Sequence, residues 1–133
     1  MALDSSVEIV RRAFAAYAAG DRARLIALVH PEAEIAPLSP DLSGTDGPYR
    51  GKRGAELWLE ELARTGREFT GKLEEIRESG ETVLALGRVQ ARRPASGFAF
   101  TQRVGWVLRT RDELIVFFRG YTSAEDAERA AGI

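Results

Sequence analysis

The chain has 133 residues, 44% hydrophobic and 29% charged, with 19 Lys plus Arg against 20 Asp plus Glu. This is the composition of one soluble globular domain spanning 1–133, and its net charge of −1 excludes a disordered chain and a strongly basic nucleic-acid binder. Cysteine is absent and His30 is the only histidine, which excludes disulfides, thiolate metal sites and a cysteine nucleophile.

Nothing in the sequence calls for a metal or a cofactor. An all-carboxylate magnesium or calcium site is the one metal chemistry the composition leaves open. The start, Met1-Ala2-Leu3-Asp4-Ser5-Ser6, lacks the basic and apolar regions of a signal peptide, and no apolar run reaches membrane-span length. A cytoplasmic protein without membrane contact is expected.

Ser5 and Glu8 have the spacing of a capping box, and Val7, Val10, Phe14 and Tyr17 then mark one face of a first helix that Gly20 stops. Asp21 caps a second, shorter helix with Leu25, Leu28 and Val29 as its buried stripe and Pro31 as its end. Residues 33–36 read as a short strand. Residues 37–51 are punctuated by Pro and Gly and read as a connector or a binding loop, with Asp41, Asp46 and Tyr49 within reach of a site.

A third helix is expected over 52–65, with Ala55, Trp58, Leu59 and Leu62 inward and Glu56, Glu60 and Glu61 outward. From residue 69 the period becomes strand-like. Strands over 69–78, 82–93, 98–110 and 114–122, joined by short turns, predict an antiparallel meander. Ser123 caps a final short helix ending at Gly132.

Both faces of the long strands carry apolar residues. A sheet covered on one side only should alternate apolar and polar, so a second partner surface is expected, and a homodimer through the sheet is the simplest choice. On the last strand, Ile115 and Phe117 are expected on one face and Val116 and Phe118 on the other.

This order of elements, with Ala18-Ala19-Gly20-Asp21, His30-Pro31-Glu32-Ala33-Glu34, Tyr49-Arg50-Gly51, Gly80-Glu81-Thr82-Val83 and the stretch from Arg111-Asp112 to Tyr121, resembles the SnoaL-like proteins of the nuclear transport factor 2-like superfamily. The resemblance implies an α+β cone. A curved antiparallel sheet wraps on three N-terminal helices, with a short C-terminal helix and an internal apolar pocket. It does not fix a function, because the superfamily hosts several enzyme classes and non-enzymatic binders.

Matched without gaps, the positions of the ketosteroid-isomerase tyrosine and two aspartates hold Ala13, Pro37 and Gly105. The Asp-Arg-Asp trio of the limonene-type epoxide hydrolases keeps only Arg103, because Arg103-Val104-Gly105 and Phe118-Arg119-Gly120-Tyr121 carry glycine in place of both acids. Without a carboxylate those reactions lack their base.

The expectation is therefore a small-molecule binder. Its pocket is lined by Phe14, Tyr17, Trp58, Val107 and Phe118, with Arg103 as polar anchor and Arg88 as a further ligand contact. The ligand is apolar, with an anionic group as an option. The alternative is an isomerase-like or polyketide-cyclase-like enzyme acting by proton transfer through His30 or Asp41. A third option is a dimerisation module whose pocket is a packing defect.

Overall fold

The computed structural model describes residues 5–37, 47–65, 68–93 and 96–133. Among the described residues, four helices and six strands follow in the order α1 (Ser6–Ala18), α2 (Arg22–Ala27), β1 (Val29–Ala36), β2 (Tyr49–Arg50), α3 (Gly51–Arg64), β3 (Glu68–Ser79), β4 (Thr82–Arg93), β5 (Phe98–Arg111), β6 (Leu114–Tyr121) and α4 (Ala124–Ala131). The six strands form one sheet in the order β2-β1-β6-β5-β4-β3. β3 to β6 are the expected antiparallel meander, while β1 joins the sheet parallel to β6.

Local chemistry explains most boundaries. Ser5, Asp21 and Ser123 each accept a backbone N–H from three residues on, satisfying donors at the starts of α1, α2 and α4. The second helix is shorter than its apolar stripe suggested. It ends at Ala27, and Val29 opens an eight-residue strand that contains Pro31. The register between β1 and β6 shifts between Val29 and Glu34, and an irregularity there tolerates the missing proline N–H. Tyr49 and Arg50, read as loop, form a two-residue strand against Glu34 and Ile35.

The sheet has an inner and an outer face. Inward residues of β4 and β5 (Val83, Ala85, Val89, Val104, Trp106, Leu108) pack with Ile9, Val10 and Ala13 of α1. Val29, Ala33, Ile35, Tyr49 and Ala55 make a second cluster between β1 and α3. α2 and α3 are tied by Arg22, which donates to the Leu59 carbonyl (3.2 Å), and by Lys52, which donates to the Ile26 carbonyl (2.9 Å).

On the outer face, Leu84, Leu86 and Val107 are buried under Ala127 of α4, with Phe117, Tyr121 and Ala131 beside them. The apolar residues that motivated a second copy on this face are covered, over this part, by the C-terminal helix of the same chain. The close fit depends on Gly105, where a β-carbon would stand 2.4 Å from the Ala127 β-carbon. An ion pair from Arg77 to Glu128 (3.0 Å) holds the helix from β3.

Two bulges set which side chains meet. β3 shifts register between Leu73 and Glu75, and there its backbone crosses so close to β4 that a β-carbon on Gly87 would lie 1.9 Å from the Lys72 carbonyl oxygen. Between β5 and β6 the register shifts after Arg109, so Thr110 pairs with Ile115 and Arg109 with Phe117. The extra residue, Val116, breaks the alternation. Ile115 and Phe118 consequently both face inward and Phe117 faces outward, which corrects the simple parity expected for the last strand.

Candidate functional site: an apolar cavity

The inner face of the sheet and the three N-terminal helices enclose an apolar cavity with an empty volume of about 910 Å³, open mouth included. α1 contributes Ala13, Phe14 and Tyr17, α3 contributes Ala55, Trp58 and Leu62, and the sheet contributes Ile35, Gly71, Val89, Trp106, Ile115 and Phe118. Small residues at Ala13, Ala55 and Gly71 leave the room. At Gly71 a β-carbon would already touch the Trp106 ring, at 3.6 Å.

Aromatic contacts build the walls. Phe14 meets Trp106 edge-on, with centroids 5.1 Å apart. Trp58 stacks on Tyr17 at 6.2 Å and stands 6.0 Å from Phe118. Such rings offer large apolar surfaces with few internal rotations, so they hold a cavity open while remaining ordered.

Of the expected ligand contacts, Phe14, Tyr17, Trp58 and Phe118 come together around the cavity. Three do not. Arg103 is exposed and pairs with Arg88 across β4 and β5 on the outer face. Arg88 is also exposed, and its Nε lies 3.4 Å from Glu74. Val107 is buried on the same outer side, under α4. The error lies in strand parity: Val104, Trp106 and Leu108 are the inward residues of β5, so Arg103, Gly105 and Val107 point the other way. The polar anchor expected of Arg103 is not in the cavity.

Of the three positions matched by count, Ala13 and Pro37 line the cavity, whereas Gly105 faces α4.

His30 sits outside the cavity lining, at the start of β1 beside the β5–β6 turn. Its Nδ1 accepts the Glu32 backbone N–H (2.9 Å) and its Nε2 stands 3.7 Å from Asp112. In that turn Asp112 and Glu113 both take the left-handed backbone of a two-residue hairpin loop, and Arg111 donates to Glu32 at 2.5 Å. Asp41 and Asp46 lie outside the described residues. Tyr49 is buried between β1 and α3 and donates its hydroxyl proton to Glu61.

Among the described residues, Tyr17 is the only titratable side chain lining the cavity, and burial pushes its phenol up to about 12. The Trp58 Nε1 is buried without an acceptor among the described residues. Sequence reasoning placed Trp58 on the correct helix face, but an orphaned donor is a property of the assembled walls and has no local signal. Among the described residues no three His, Asp or Glu side chains gather as a metal ion would need, and no helix is long and apolar enough to cross a membrane.

Solved structures share the whole architecture. An NTF2-like protein from Burkholderia thailandensis superposes with a TM-score of 0.80 at 24% identity, covering 96% of this chain and 98% of the other. TerC, co-crystallised with polyporic acid, gives 0.77 at 16% identity, with 96% and 98% covered. A Mycobacterium tuberculosis protein in complex with estradiol-17β-hemisuccinate gives 0.73 at 20% identity, with 89% and 94% covered. No curated protein matches the chain. The sequence signature of the SnoaL-like domain family matches residues 10–118, so the chain belongs to the SnoaL-like family.

Proposed function

We propose that this protein binds an apolar small molecule in the cavity between the sheet and the N-terminal helices. One observation carries the reading: the cavity walls are aliphatic and aromatic and, among the described residues, hold Tyr17 as their only titratable group. A ligand entering such a space gains by removing apolar surface from water. Two neighbours of the same fold, TerC and the Mycobacterium tuberculosis protein, were crystallised with ring compounds, which supports a ring-bearing ligand here.

Proton-transfer catalysis needs an acid or base within hydrogen-bond reach of the substrate. His30 is not among the lining residues, and its Nδ1 is engaged with the Glu32 backbone. Binding is therefore the function the geometry supports best.

Titration with N-phenyl-1-naphthylamine, an uncharged apolar fluorophore, tests the reading. Saturable 1:1 binding with a Kd in roughly the micromolar range is expected for a ligand of this size. The Ala13→Trp variant, which fills the cavity from α1, should abolish it. No saturable binding to the unsubstituted chain, or unchanged binding to a folded Ala13→Trp variant, would refute the reading.

A further inference from the structure

Among the described residues, the cavity walls carry no formal charge. Every described lining residue is apolar or aromatic apart from Tyr17, whose raised pKa keeps it neutral. A carboxylate carried against such walls loses its hydration and meets no counter-ion. The arginines of the sheet do not supply one, because Arg88 and Arg103 stand exposed on the opposite face.

The walls do hold one unmet donor. Trp58 lines the cavity, and its Nε1 is the only buried side-chain nitrogen or oxygen among the described residues that lacks a hydrogen-bond partner. A buried N–H without an acceptor is costly, and a specific one in a native fold calls for an explanation. Here the orphan belongs to a residue that fronts an empty apolar volume.

From these two observations we infer that the cavity takes an uncharged ring compound bearing a carbonyl oxygen, and that this oxygen accepts from Trp58 Nε1. The inference rests on the binding reading above and adds the ligand's charge and its polar contact. The ring system lies among Tyr17, Trp58 and Phe118, whose rings are within 6.2 Å of one another along the chain of contacts. The nitrogen is covered by the protein itself, so this contact requires the indole to turn as the ligand enters.

Three naphthalenes of nearly equal size separate the terms: 2-acetonaphthone, 2-naphthoate and 2-ethylnaphthalene. Calorimetric titration at pH 7 should show the ketone binding at least about tenfold more tightly than the carboxylate, which is ionised at that pH. In Trp58→Phe the ketone should lose about fivefold relative to 2-ethylnaphthalene, the share of one neutral hydrogen bond. The carboxylate binding within about threefold of the ketone would overturn the inference and leave apolar binding standing. So would an unchanged ketone-to-hydrocarbon ratio in Trp58→Phe. Binding of neither neutral compound would overturn both. The charge comparison uses the unsubstituted chain, so it decides even if Trp58→Phe fails to fold.

Discussion

The seat of α4 on the sheet gives a sharp test of the fold. In Gly105→Ala the new β-carbon would lie 2.4 Å from the Ala127 β-carbon and 3.1 Å from Leu86 Cδ2. Carbon atoms rest at about 3.5–4.0 Å, so the helix must recede by about 1 Å or more, while the Leu86 terminus need move only a few tenths. Receding opens a gap over Leu84, Leu86 and Val107, which are buried beneath it. Overpacking of this kind costs about 1–3 kcal/mol, partly offset by the lower strand entropy of alanine, so a net loss of about 1–2 kcal/mol is expected. Ala127→Gly alone should also destabilise, by about 1–2 kcal/mol through helix propensity and a lost buried methyl. Combined, the two substitutions exchange the methyl across the interface, and the double variant should be more stable than the sum of the singles by about 1–2 kcal/mol. Urea unfolding followed by tryptophan fluorescence measures all four corners of the cycle. A coupling below about 0.5 kcal/mol, the ordinary scatter for non-contacting sites, would refute the packing of Ala127 on Gly105.

Tyr17 links stability to alkaline pH. Its pKa stands at about 12 in the folded chain against 10.0 when unfolded, so between these values the unfolded chain has lost a proton that the folded chain keeps. The stabilisation is complete below pH 10 and falls as pH rises, by about 1.4 kcal/mol per unit, until the folded phenol also ionises. Urea midpoints from pH 10 to 11.5 should fall more steeply for the unsubstituted chain than for Tyr17→Phe, and parallel slopes would count against the desolvated phenol. On the outer face, Lys72, Arg88 and Arg103 are register partners in one row across three adjacent strands. Like charges directly opposite are unfavourable, so Arg103→Glu should stabilise by up to about 1 kcal/mol in low salt, with the gain shrinking at 1 M NaCl. A loss of stability in low salt would contradict the row.

The elements were legible where their causes are local. Ser5, Asp21 and Ser123 cap helices because a short polar side chain meets an amide three residues on, a relation written in the sequence itself. The turns of the meander are likewise short and local. What sequence could not supply is the phase of the strands. One bulged residue, Val116, turns Phe118 inward and Phe117 outward, and a one-residue error moves Arg103 from the solvent to the cavity. The lost apolar partner of the outer face had a readable trace. Ala124, Ala127 and Ala131 recur at helical spacing on a helix too small to hold a core alone, which pointed to a flat surface beneath it.

The distribution of charge follows from the same parity. Residues 82–122 hold seven Arg and two acids, a balance of +5 (7 − 2), and the rest of the chain is −6. Arg88, Arg92, Arg103, Arg109, Arg111 and Arg119 are exposed, because an unpaired guanidinium on the inner face would sit among Val89, Trp106 and Leu108. Arg109 and Arg119 take the same course, lying over the rings of Phe117 and Tyr121 on the outer side. Alternation thus sorts one basic sequence into a charged exterior and a neutral cavity. The basic strands then say little about the ligand's charge, and the inner residues, which carry none, say most.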